Sequence, residues 1–162
     1  MRLLNTENLE RPKDITKMKK IALALGLIGM AAFANAADSL NGTVWKTIDD
    51  QTNKPKAVVK FTEQKDGTLT ATIQSILTPG EENACTKCEG PYKNKPLKGV
   101  TIVHNLKNVG GNSYENGTIL DPKSGKTYKL KGELTDGGKK LKLRGYIGVS
   151  ALGRNQTWIR AN

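Results

Sequence analysis

Two cysteines, Cys85 and Cys88, stand in a Cys-x-x-Cys spacing and are the only thiols in the chain. A pair so spaced can be a local disulfide, a redox couple or half of a zinc site. In an oxidising compartment the disulfide is the expected state, and it would stiffen the loop that carries it. A redox role needs a depressed thiol pKa, usually from a helix N-terminus that follows a strand. No such helix is legible here, and the nearby Glu81, Glu82 and Glu89 would push the thiols the other way. Zinc needs more ligands than one pair and a distant imidazole, so no metal is expected. His104 is the sole histidine, between Val103 and Asn105, with no Ser, Cys or carboxylate at a partner's spacing. It reads as a plain strand residue. No catalytic residues and no cofactor are expected, and the Cys pair is the one foothold for an enzyme.

Arg144 and Tyr146 are the next candidates. Leu141 and Leu143 alternate with Lys140, Lys142 and Arg144, the period of a strand with one face on a core and one in water. Alternation alone puts Arg144 and Tyr146 on the lysine face. A bulge at Gly145 would turn one of them inward, where a guanidinium offers a bidentate fork for a carboxylate or phosphate. Both readings stand.

These residues must be positioned by strands. Segments 41–48, 57–63, 68–76, 99–106, 113–120 and 126–134 carry strand patterning, and two more strands lie within 139–160, either side of a Gly-bounded bend. Turn signals fall between them, at Asp66-Gly67, Gly110-Gly111-Asn112, Asp121-Pro122-Lys123-Ser124-Gly125 and Asp136-Gly137-Gly138. After Leu77 the pattern breaks for about twenty residues, against roughly 2 to 5 in an ordinary hairpin loop. Such a stretch is a functional lid or a disordered linker, and it holds both cysteines. Eight short strands in succession, with no convincing amphipathic helix, leave a sandwich and an up-and-down barrel nearly level.

The N-terminal part reads as an address. Met18-Lys19-Lys20, an apolar run from Ile21 to Phe33 and the small-x-small end Ala34-Asn35-Ala36 form a secretory signal, with cleavage expected after Ala36. The run is shorter than the roughly 20 residues of a membrane-spanning helix, so no integral membrane protein is expected. Residues 1–17 are polar and read as an extension upstream of the true start. Residues 37–162 form one domain with 20 Lys and Arg against 12 Asp and Glu, a charge of 20 − 12 = +8. Periplasm or secretion follows, and nucleic acid is excluded as a partner. Most lysines occupy solvent positions of alternating strands, so a soluble basic surface is the plain reading. An anionic envelope component is the other.

The run Leu141-Lys-Leu-Arg-Gly-Tyr-Ile-Gly, the pair Gly153-Arg154, the segment Gln156-Thr-Trp and the stretch Ile119-Leu-Asp-Pro-Lys-Ser-Gly-Lys-Thr-Tyr resemble the bacterial family catalogued as domain of unknown function 2147. The resemblance covers nearly all of the chain after Ala37. It implies a small exported barrel similar to lipocalins and fatty-acid-binding proteins, with no established activity. The expected fold is therefore all-β: an eight-stranded antiparallel up-and-down barrel, calycin-like, with a long loop between strands three and four. Such barrels place a Gly-x-Trp on the first strand near an Arg of the last, plugging the closed end. Here the spacing is Gly42-x-x-Trp45, and the plug is expected from Trp45, Arg154, Trp158 and Arg160.

For function, the resemblance and the strand pattern imply a binding barrel for a small apolar or amphiphilic molecule. The expected lining is Val59, Phe61, Leu69, Ala71, Ile73, Val100, Ile102, Leu130, Leu141 and Leu143, with Arg144 and Tyr146 as polar candidates and Ala71 and Gly132 leaving space. The alternative is a filled barrel that acts as an interaction module through its basic exterior, a homodimer being one version. A thiol redox protein is the minor alternative.

Overall fold

A computed structural model describes residues 39–80 and 84–162. The extension, the signal segment, Glu81 and Glu82 lie outside them. Eight strands follow in order: β1 Val44–Ile48, β2 Pro55–Glu63, β3 Leu69–Ile76, β4 Thr101–Gly110, β5 Ser113–Asp121, β6 Lys126–Thr135, β7 Lys140–Tyr146 and β8 Arg154–Arg160. Each pairs antiparallel with its neighbour in sequence, and β8 returns to β1, so the sheet closes into a barrel. The seam is short, with Trp45 opposite Arg160 and Lys46 opposite Ile159. It is extended by the Ala161 amide donating to the Val44 carbonyl and the Val44 amide donating to Asn162 Oδ1.

The alternation read in the sequence sets the two faces. Ala57, Val59 and Phe61 on β2, Leu69, Ala71 and Ile73 on β3, and Leu141 and Leu143 on β7 are buried inside. Lys60, Lys129, Lys140 and Lys142 face water between them. Alternation is interrupted on β4 and β5. Asn105 and Asn116 take positive φ of 55° and 61°, and the pairing register slips beside both. Asparagine tolerates that conformation because its short amide can bond locally. The resulting bulges bend the sheet and let Val103 and Leu106, three positions apart, both point inward.

The two ends differ. The tight turns 64–68, 111–112 and 136–139 lie at one end with residues 39–43, while the connections 49–54, 77–100, 122–125 and 147–153 lie at the other. At the tight end Leu40, Trp45, Phe61, Leu106, Tyr114, Leu134 and Leu141 are fully buried and fill the interior. The long connection is not an unstructured linker where it is described. Cys85 and Cys88 are joined, with Cα atoms 5.2 Å apart. The Cys85 amide donates to the Lys95 carbonyl, Asn94 donates back to Cys85, and a 3-10 turn at Gly90–Tyr92 sits between. Both cysteines are buried.

Candidate functional site

The wide end of the barrel holds a cavity of about 450 Å³. Every strand contributes to it. Trp158, Leu130 and Leu143 lie deepest, Ile73, Ile102, Ile119 and Tyr128 form the walls, and Ala84, Thr86 and Leu97 reach in from the long loop. The mouth is polar, with Lys56, Asp121, Lys123 and Arg154. A volume near 450 Å³ falls within the roughly 300–1,000 Å³ of small-molecule sites, as does the combination of apolar wall and few polar groups.

The loop docks over the wide end against the β5–β6 turn. Gly125, at φ +72°, brings its backbone against the loop so tightly that a Cβ placed there would sit 1.8 Å from the Lys87 carbonyl oxygen. Only glycine satisfies both the left-handed backbone and the contact. Cys85 Sγ lies 3.7 Å from the Pro122 carbonyl in the same turn. The disulfide thus belongs to the clamp between the 84–98 segment and the β5–β6 turn.

The residues singled out in the sequence divide into four groups. Ile73, Ile102, Leu130 and Leu143 line the cavity. Val59, Phe61, Leu69, Ala71, Val100 and Leu141 are buried but do not line it; they fill core where side chains meet each other. Space at Gly132 is likewise occupied, because the Leu143 side chain folds over it, 2.8 Å from where a Cβ would be. Arg144 and Tyr146 face outward. The β6–β7 register runs without a break from Lys129 opposite Tyr146 to Thr135 opposite Lys140, so Gly145 carries no bulge and simple alternation holds. Arg144 instead ties down the β7–β8 connection: Nε donates to the Ser150 carbonyl at 2.6 Å, Nη2 to Ala151 at 2.8 Å and Nη1 to Asn155 Oδ1 at 2.8 Å.

The plug needs one correction. Trp45 is fully buried, with the Arg160 guanidinium 5.7 Å from its ring centroid. Arg160 Nη1 donates to the Gly138 carbonyl at 3.1 Å, and the indole Nε1 donates to Thr43 Oγ1 at 2.7 Å. Arg154 has no part in this. It shares the inner face of β8 with Arg160, but six residues at about 3.3 Å each separate them by roughly 20 Å. Trp158 sits between, its ring centroid 6.2 Å from that of Phe61 and its other side on the cavity. His104 Nε2 lies 3.1 Å from the Thr101 carbonyl within its own strand.

Arg154 makes a two-pronged ion pair with Asp50, joining the β1–β2 loop to the start of β8 at the mouth. Those hydrogen bonds, more than the opposite charge itself, hold the Asp50 carboxyl below the usual carboxylate range. Because the folded-state value is depressed, the pair's contribution is present above the unfolded value of about 3.9 and is lost as pH falls through the folded one. Arg154 is largely exposed, so the contribution is of the order of 0.2–1 kcal/mol. In Arg154→Gln the Asp50 carboxyl, followed by carbon NMR, is expected to titrate at a higher pH than in the unsubstituted protein. A midpoint equal to that of the unsubstituted protein would mean the pair does not form in solution.

Ala57, Ile76, Ile119, Tyr128 and Gln156 also line the cavity without having been expected there. Tyr128 and Gln156 were recoverable by extending the alternation two positions back from Leu130 and Trp158. Gly145 lines it as well: its missing side chain keeps the inner face of β7 open beside Tyr128 and Ile119.

A closed eight-stranded antiparallel barrel, plugged by an arginine over a tryptophan and hollow at its other end, is a lipocalin-like barrel. The solved structure of protein HP1028 from the human pathogen Helicobacter pylori, described as belonging to the lipocalin family, matches with a TM-score of 0.66 and 25% identity over 76% of this chain and 84% of that chain. By sequence the chain belongs to the bacterial family described as "Uncharacterized protein conserved in bacteria (DUF2147)", matched over residues 43–160. No curated protein matches it.

Proposed function

We propose that this barrel is an exported carrier that holds one small apolar or amphiphilic molecule in its wide-end cavity. The observation that carries the reading is the cavity itself, about 450 Å³, apolar at depth and charged only at its rim. An amphiphile would place its tail against Ile73, Ile102, Ile119 and Leu130 and its head among the rim groups Lys56, Asp121, Lys123 and Arg154. In this reading the chain catalyses nothing, and the Cys85–Cys88 bond is a clamp for the loop; burial of both sulfurs supports that role over thiol exchange. Export rests on the signal pattern, and the exported species is expected to begin at Ala37.

Native mass spectrometry of the exported protein, before and after denaturation, tests the whole reading. The expected result is a small molecule released on unfolding, and an N-terminus at Ala37. Gly145→Leu should fold but lose the cargo, because a Cβ there meets only ordinary contacts at Tyr128 and Ile119 and the position faces the cavity. Bare protein in both cases, also after exposure to envelope lipid extract, would overturn the carrier reading.

A further inference from the structure

Six large apolar side chains are exposed among the described residues: Leu77, Val109, Ile147, Val149, Leu152 and Ile159. Four belong to connections at the wide end, and three of those lie within one short segment. Ile147, Val149 and Leu152 are 64%, 63% and 83% exposed. Isolated exposed apolar residues need no explanation, but three on one rigid projection do. The projection is built, not loose. Arg144 donates three hydrogen bonds across its base, and Gly153 packs beneath, where a Cβ would lie 2.8 Å from the Gly145 carbonyl and 2.9 Å from Tyr146 Cβ.

The surroundings are basic. Lys123, Lys126 and Lys129 are exposed on the adjoining β5–β6 turn and β6, and Lys87 lies on the loop docked against Gly125. Among the described residues the carboxylates nearby are Asp49, which accepts from the Thr52 amide and lies 4.0 Å from Lys56; Asp50, paired with Arg154; Asp121, which accepts from Ser124 Oγ at 2.7 Å and from the Lys123 amide; and Glu89. Among the described residues, Lys87, Lys123, Lys126 and Lys129 therefore outnumber Asp121 and Glu89, the carboxylates left once Asp49 and Asp50 are paired.

We infer that the 147–152 projection is a membrane-docking wedge, which inserts Ile147, Val149 and Leu152 into the headgroup boundary of an anionic phospholipid bilayer while the surrounding lysines meet the headgroups. Shallow insertion of aliphatic side chains beside a cluster of lysines is the combination that gives peripheral proteins a reversible hold on anionic surfaces. Docked this way, the barrel presents its cavity mouth to the lipid. The wedge is outside the cavity, so it stands or falls separately from the carrier reading.

The test uses residues 37–162, the expected exported species, which contains all eight strands of the closed barrel. Leu152→Trp reports insertion, read as the difference from the unsubstituted protein, whose Trp45 and Trp158 are already buried. With vesicles of phosphatidylcholine and phosphatidylglycerol its emission should shift to the blue, and with phosphatidylcholine alone it should not. In sedimentation with the same vesicles, Ile147→Ser/Val149→Ser/Leu152→Ser should bind about tenfold more weakly or worse, with unchanged thermal unfolding, and raised salt should weaken the unsubstituted protein. Gly145→Leu should dock normally even if it carries no cargo. The inference fails if Leu152→Trp gives no shift, or if the triple serine variant binds as well as the parent. It fails also if analytical ultracentrifugation finds a dimer that the triple variant abolishes, since the projection would then be a contact between two copies.

Discussion

Replacing Trp45 with alanine is expected to lower the unfolding free energy by about 3–5 kcal/mol, within the range for deleting a large buried ring. The indole is fully buried at the seam between the first and last strands, in register with Val59 on one side and Arg160 on the other. Its loss opens a cavity and takes the aromatic face from under the Arg160 guanidinium, a contact that is itself stabilising by roughly 0.5–2 kcal/mol. It also leaves Thr43 Oγ1 without the indole donor, although that hydroxyl still donates to the Leu40 carbonyl. Against a total of about 5–15 kcal/mol for a domain, this is a large fraction. Urea unfolding followed by the fluorescence of Trp158 measures it. Arg160→Leu should cost less, because the ring remains. A loss below about 1 kcal/mol in Trp45→Ala would mean that the tight end is held by its other side chains, and that the plug is incidental.

Gly125→Ala should release the long loop while leaving the barrel folded. Alanine must adopt φ near +72° and place its Cβ 1.8 Å from the Lys87 carbonyl, so either the turn or the docked loop has to move. The loop is the weaker partner, since the turn is anchored by two strands. The expected result is faster hydrogen exchange at the Cys85, Asn94 and Lys95 amides and quicker reduction of the Cys85–Cys88 bond, with exchange in β6 and β7 unchanged. Gly67→Ala is the matched control. It has nearly the same φ, +76°, but open space where the Cβ would go, so it should show only the backbone cost of about 1 kcal/mol and no release of the loop. Equal behaviour of the two variants would show that the close approach to Lys87 does not hold the loop down.

Much of the barrel was legible because two-residue alternation and turn chemistry are local. Leu141 and Leu143 against three basic neighbours, and Asp66-Gly67 between β-branched runs, fixed strands and hairpins without tertiary help. What alternation conveys is which side of the sheet a residue faces, not how far along the barrel it lies. That is why Arg154 was grouped with Arg160, and why Phe61 and Leu69 were grouped with Ile73: all are inward, but only some are at the hollow end. Height depends on the accumulated register of every strand, and the bulges at Asn105 and Asn116 alter it. Neither asparagine announces itself, since the residue is equally at home in turns. Gly145 misled in the opposite direction. A glycine in a strand can mark a bulge or an absent side chain, and here it is the second, next to a cavity that no local pattern could disclose. The role of Arg144 as a fastener of the 147–153 connection was equally hidden, because two of its three acceptors are backbone carbonyls.

The seam between β1 and β8 sets the order of assembly. Every other pairing joins strands adjacent in sequence, and all but β3–β4, which spans the long connection, need little more than a hairpin's length of chain. The seam joins residues more than a hundred positions apart. Until β8 is present the molecule is a curled ribbon with two raw edges, one of them carrying Trp45 uncovered, and an edge of that kind will accept any strand offered to it. Ring closure is therefore expected to be the late, entropically costly event of folding, and the interval before it the one in which this chain is most exposed to misassembly with its own copies.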